Sequence, residues 1–228
     1  MASKPEKTIL QLAHGLCVVI RWPGGDPDGS GLHPGERAFA ATLAPRRARI
    51  WIAGRIALRE ALARLRLSCE VAILSTERGA PLLPAGMAGS VSHKAVGDEI
   101  IAAALVASGS AFTLGIDIEV TEALGVDVGK KVLTAAESAE IERVAPDRRR
   151  FETLLRFSIK EAVFKAVDPI LRAKISFQVA TVLPSNDGTV DIEWRLPPGV
   201  TRPETEAMWK LWNGLILTTA RSAKTRSP

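Results

Sequence analysis

The sequence predicts an α+β chain of two roughly equal halves. Two long stretches carry apolar residues at helical spacing, one in residues 45–65 and one in residues 150–167. Around them lie short alternating apolar stretches separated by turn residues, of which Asn213-Gly214 is the strongest turn signal. At 228 residues and 46% hydrophobic, the chain is long enough for one compact domain or two small lobes.

Taken in order, residues 9–21 read as a strand and residues 22–34, rich in Pro, Gly and Asp, as a loop. Pro45 precedes a helix whose core stripe is Ile50, Gly54, Leu58, Ala61, Leu62 and Leu65, with Arg47, Arg55, Arg59 and Arg66 largely off it. Residues 70–75 read as a short strand. Residues 78–84 form a turn-rich loop, followed by the dense polar turn Gly89-Ser90-Val91-Ser92-His93. Residues 100–107 and 111–120 read as strands joined through Ser108-Gly109-Ser110 as a hairpin. Thr134 opens a helix that runs to about Val144. A second helix covers 150–167 and ends before Pro169. Two hairpins follow, 175–183 with 189–194 and 207–212 with 215–220. Residues 221–228 read as a frayed polar tail. No short repeat is evident, and the halves divide as residues 1–110 and 111–228.

Composition excludes several classes. The chain is neither disordered nor low-complexity. Two cysteines, Cys17 and Cys69, are too few for a disulfide framework and favour a reducing compartment. The most apolar window, residues 100–116, falls short of the roughly 18–20 residues of a spanning helix and contains a turn signal. No secretory signal is evident, so a cytoplasmic protein with no membrane partner is expected. Aromatic residues are 5% with no Tyr, which argues against a base-stacking surface for nucleic acid. The net charge is +5, from 30 Lys and Arg against 25 Asp and Glu, and suits an acidic partner.

Four constellations carry chemistry. In residues 112–120, apolar side chains alternate with Thr113, Gly115, Asp117 and Glu119. On a strand Asp117 and Glu119 share a face, about 7 Å apart. Two acids so placed repel unless a cation lies between them, and a hard ion such as Mg²⁺ suits them; two solvated acids on an exposed face fit the same pattern. In the helix around residues 157–166, Ser158, Glu161 and Lys165 form one stripe. Glu161 is placed to give a third oxygen ligand, with Lys160 and Lys165 for phosphate oxygens; an ordinary Glu-to-Lys surface pair has the same spacing. The stretch around Ser92 and His93 offers backbone N–H groups and a side chain for an anion. Arg47, Arg55 and Arg59 form a basic set that either binds an anion or lies solvated. Glu137 closes a Thr134-x-x-Glu137 capping box, which by itself satisfies a backbone donor.

Together these segments resemble the 4′-phosphopantetheinyl transferase superfamily in its long, monomeric, surfactin/enterobactin-activating type. Gly54-Arg55-x-Ala57-Leu58-Arg59-x-Ala61-Leu62 is similar to its arginine helix. The stretch from Gly79 to Ser92-His93 is similar to its first signature loop, Gly115-Ile116-Asp117-Ile118-Glu119 to its GIDIE core, and Phe157-Ser158-x-Lys160-Glu161-Ala162-x-Phe164-Lys165-Ala166 to its KEAxxKA helix. Phe157 stands where Trp is frequent, Leu83 where Trp is usual, and Arg78 where Lys is frequent.

The resemblance implies two similar α/β lobes in a pseudo-twofold arrangement, each a small antiparallel sheet packed with a long helix, with coenzyme A between them. It implies transfer of 4′-phosphopantetheine from coenzyme A to a serine of an apo acyl or peptidyl carrier protein. It implies Mg²⁺ or Mn²⁺ on Asp117, Glu119 and Glu161. It places Ser92 and His93 by the adenosine 3′-phosphate of coenzyme A, Arg47, Arg55 and Arg78 at further phosphate contacts, and Lys160 and Lys165 at the pyrophosphate and the attacking hydroxyl. Family members differ in which acid takes the proton, Glu161 or Glu137. Two other readings are a Mg²⁺-dependent nuclease, from clustered carboxylates plus Lys on a basic protein, and a non-catalytic module that binds an acidic carrier domain.

Overall fold

The computed structural model describes residues 4–67, 69–121, 129–173 and 175–224. The chain divides into two compact units, Met1–Ser110 and Ala111–Pro228.

The first unit opens with β1 (Glu6–Leu12) and β2 (Gly15–Pro23), an antiparallel pair closed by Ala13 and His14. The single strand expected over 9–21 is therefore two. The turn escapes a sequence reading because only Gly15, at a positive φ of 151°, marks it. A short 3-10 turn at Gly29–Gly31 leads into α1 (Pro34–Ala41), which starts at a proline behind a His33 cap. α2 (Pro45–Arg64) follows. Residues 70–75 form no strand; Ser75 makes one isolated bridge to Pro81. β3 (Met87–Val96) and β4 (Glu99–Ser108) complete a sheet of order β1-β2-β4-β3. α2 packs on this sheet through Ala53, Ala57, Leu58, Ala61 and Leu62 against Val18, Ile20, Ala102 and Ala104.

The second unit begins with β5 (Thr113–Val120). β4 and β5 belong to different sheets, so residues 108–110 link the two units and close no hairpin. Then come α3 (Gly129–Val132), α4 (Ala135–Arg143) and α5 (Pro146–Leu171). α5 runs past the expected stop, with Pro169 inside its last turn and Arg172 left-handed at φ 49° behind it. β6 (Ala180–Pro184), β7 (Thr189–Trp194), β8 (Glu204–Trp212) and β9 (Leu215–Ala223) follow. The sheet order is β5-β9-β8-β7-β6, with every pair antiparallel. Both late hairpins form, but the first strand expected over 175–183 begins only at Ala180, behind a 3-10 turn at Phe177–Val179. Asn213 and Gly214 turn the second hairpin with φ of 47° and 73°. Residues 221–223, expected to fray, belong to β9. Leu155, Ile159, Ala162, Val163 and Ala166 of α5 pack on Val182, Ile216 and Ala220.

The fold is α+β: two antiparallel sheets, each packed with one long helix. No helix among the described residues is long and apolar enough to cross a membrane.

Candidate active site

In the second unit, β5 lies directly on α5. A Cβ on Gly115 would collide with the Ala162 carbonyl and stand 2.9 Å from the Ala166 nitrogen, so only glycine permits this approach. Thr113, two residues earlier, donates its hydroxyl to Ala166 O. Asp117, two residues later, meets Ser158, one helical turn before Ala162. The steps match because two strand residues rise about 6.7 Å and four helix residues about 6 Å. The alternation of β5 thus aims Thr113, Gly115 and Asp117 at the helix, and Glu119 shares that face.

Asp117 is 4% exposed and Glu119 5%. Ser158 Oγ donates to Asp117 Oδ2 at 2.9 Å, and Lys165 Nζ donates to Oδ1 at 2.9 Å and to Ile116 O at 2.8 Å. Thr218, opposite Asp117 on β9, donates to Ser158 O at 2.9 Å. Glu161 is half-buried on the stripe of Ser158 and Lys165. Two of the stripe's three residues, Ser158 and Lys165, thus meet Asp117 on β5. The carboxylates of Asp117, Glu119 and Glu161 offer oxygen ligands, which suit a hard divalent cation. Among the described residues no three His, Cys, Asp or Glu side chains close into a metal cage. Mg²⁺ needs no such cage, since it keeps waters and takes one or two carboxylates with substrate phosphates.

Glu137 and Lys160 form a separate cluster. Both side chains are fully buried, with Nζ 2.7 Å from Oε2. Glu137 also accepts from Thr134 N at 2.7 Å and Val182 N at 2.8 Å. Lys160 also donates to Val132 O at 2.8 Å and Phe177 O at 3.1 Å. Burial pushes the Lys160 ammonium down from its ordinary value, and the Glu137 carboxylate opposes that. The capping box expected at Thr134 is present. Lys160, expected at the pyrophosphate, directs its three donors at its own chain here.

In the first unit the expected polar turn at residues 89–93 is part of β3. Its small polar residues read as a turn, yet each is paired along β4. Consecutive strand residues face opposite ways, so Ser92 and His93 do not share a face. Ser92 is 5% exposed. His93 faces α2, where a Cβ on Gly54 would stand 3.4 Å from its Cδ2 and 2.9 Å from Val91 Cγ1.

The basic set is not one solvated patch. Arg47 is exposed in the first turn of α2, and Arg78 is exposed in the turn at residues 77–79. Arg55 is 4% exposed, stacks over Trp51 at 4.4 Å, and donates to Ile73 O, Leu74 O and Ser75 Oγ. Burial pulls its guanidinium down to about 10, with Glu36 opposing, so it stays cationic at neutral pH. Arg59 grips Glu36, a fully buried carboxylate, at 2.8 and 3.0 Å. The anion that compensates these neighbouring arginines thus includes one from the same chain. Glu36 was missed; its signal is His33-x-x-Glu36, a capping box with histidine in place of serine or threonine.

Both halves of the chain match known protein families. Residues 35–107 match the 4′-phosphopantetheinyl transferase N-terminal domain, and residues 113–220 match the 4′-phosphopantetheinyl transferase superfamily. The 4′-phosphopantetheinyl transferase Svp of Streptomyces mobaraensis is 32% identical over 82% of this chain and 77% of its own. The 4′-phosphopantetheinyl transferase Npt of Nocardia iowensis is 31% identical over 84% and 90%. Among solved structures, the holo-[acyl-carrier-protein] synthase of Thermotoga maritima aligns with a TM-score of 0.38 at 22% identity, over 50% of this chain and 64% of that one. The chain belongs to the 4′-phosphopantetheinyl transferase superfamily of enzymes, in its long form that carries both domains.

Proposed function

We propose that the chain transfers the 4′-phosphopantetheine group of coenzyme A to a serine hydroxyl of an apo acyl or peptidyl carrier protein, releasing 3′,5′-adenosine diphosphate. The observation that carries this reading is Asp117, buried on β5 and held by Ser158 and Lys165 of α5, with Glu119 on the same strand face.

The serine oxygen bonds to the β-phosphorus, the bond from that phosphorus to the bridging oxygen breaks, and the serine proton leaves. Attacking and leaving atoms are both oxygens on phosphorus, so the protein's work is alignment and charge neutralisation. Asp117, Glu119 and Glu161 would hold Mg²⁺ or Mn²⁺, and a bound ion supplies positive charge at the pyrophosphate. Lys165, with its side chain 30% exposed, is the lysine placed to reach a ligand while holding Asp117. Glu161 is the acid to take the serine proton. Arg47, Arg78 and His93 supply contacts to coenzyme A phosphates. Arg55 acts by fixing residues 73–75, which lead into the Arg78 turn. The enzyme works as a cytoplasmic monomer on an acidic carrier.

The test incubates the protein with coenzyme A, Mg²⁺ and a panel of apo carrier proteins, followed by intact mass measurement. A carrier gain of one phosphopantetheine unit, lost when the metal is chelated, is expected. No gain on any carrier together with no binding of coenzyme A overturns the reading.

A further inference from the structure

The buried pair Glu137–Lys160 has a counterpart in the other unit. Glu36 is the third residue of α1, closes a capping box with His33, and is fully buried. It accepts from Arg59 on the long helix and from Ile73 N at 2.9 Å. Glu137 is the third residue of α4, closes a capping box with Thr134, and is fully buried. It accepts from Lys160 on the long helix and from Val182 N. In each unit the acid and its cation are 23 residues apart. The same register pairs Pro45 with Pro146 at the helix starts, Arg55 with Arg156, Glu60 with Glu161, and Arg64 with Lys165. The sheets agree: β2 pairs with β4 as β5 pairs with β9, and β3 and β8 lie beyond.

What differs is the strand beside each long helix. β5 carries Asp117 and Glu119, whereas β2 carries no acid. Glu60, the counterpart of Glu161, pairs with Lys7 and Arg64. A clamp built alike with and without the acidic strand serves the helix that both units share, and its function does not depend on the chemistry of one of them.

We propose that Glu137 is a positioning residue: through Lys160 it sets the rotation of α5, and so the placement of Glu161 and Lys165 beside Asp117, while taking no proton from the carrier serine. This rests on the transferase reading above. Lys160 and Glu161 are adjacent on one helix, so fixing the first fixes the direction of the second.

The test compares wild type, Glu137→Gln, Lys160→Met and the double variant, measuring kcat and the KM for coenzyme A on folded protein. Each single variant leaves one buried group without its partner, and kcat is expected to fall on the order of 10–100-fold with KM unchanged. Because Glu137 acts only through Lys160, both single variants are expected to fall by the same factor and the double variant to fall no further, within about 3-fold. Should one single variant fail to fold, the other is compared with the double variant. A loss in Glu137→Gln at least about 10-fold beyond that in Lys160→Met, or losses that multiply in the double variant, shows Glu137 acting apart from Lys160 and overturns the proposal. Absence of transfer by the wild type on every carrier, together with no binding of coenzyme A, overturns the transferase reading, and the proposal with it.

Discussion

Gly115 lies so close to Ala162 that the second residue's carbonyl occupies the space a Cβ on the first would need. This is the joint on which the acidic strand rests. Thr113 and Asp117 anchor to Ala166 and Ser158 on either side of it. Gly115→Ala forces backbone away from backbone, not merely one flexible side chain from another. We expect a loss of about 3 kcal/mol or more in stability. Urea unfolding measures it. A loss below about 1 kcal/mol would mean that strand and helix separate freely, and that the joint does not set the site.

Asp117 is buried but borders a lysine that reaches solvent, so its carboxylate can be removed without stranding a charge in the core. Asp117→Asn keeps one acceptor for Ser158 or Lys165. Stability is expected to fall by about 1–2 kcal/mol. Transfer is expected to fall at least about 100-fold, because the charge facing the pyrophosphate chemistry changes. Melting curves and intact-mass rates on the same preparation separate the two effects. Turnover within a few-fold of wild type would remove Asp117 from the catalytic set.

The sequence makes legible what local patterns encode. The stripe of α2, the alternation of β5, the Thr134–Glu137 box and the Asn213-Gly214 turn all stand in the structure. Three misplacements have separate physical causes. Gly89 to His93 look like a turn until β4 is laid beside them. Residues 108–110 look like a hairpin loop, yet β4 pairs with β2 and β3 while β5 pairs with β9. Ala13 and His14 carry no turn chemistry of their own, and the reversal rests on Gly15. The resemblance of the units is hidden for another reason. Their helices share charge and spacing more than identity, as Arg59 stands for Lys160 and His33 for Thr134.

If the two clamps are equivalent, Arg59 answers for Glu36 as Lys160 does for Glu137. Arg59→Met leaves a fully buried carboxylate with only backbone donors from His33 and Ile73. A loss of about 3–5 kcal/mol is expected. Adding Glu36→Gln is expected to restore a large part of it, since the stranded charge is then gone. Additive losses in the double variant, measured by urea unfolding, would show that the acid and the arginine act separately.

His93 stands against Gly54, so the tight approach of α2 to β3 fixes the ring's place. His93→Ala removes the candidate contact to the 3′-phosphate while leaving α2 room to settle. Binding of coenzyme A is expected to weaken several-fold, and binding of dephospho-coenzyme A to change little, as for a charge-assisted contact to one phosphate. Gly54→Ala pushes on Val91 and His93 together and is expected to cost about 1–2 kcal/mol in stability. It should reproduce the same ligand discrimination in weaker form. Titration calorimetry with both ligands decides. Equal losses for the two ligands in His93→Ala would place the ring away from the 3′-phosphate and leave Arg47 and Arg78, both exposed, as that phosphate's candidate partners.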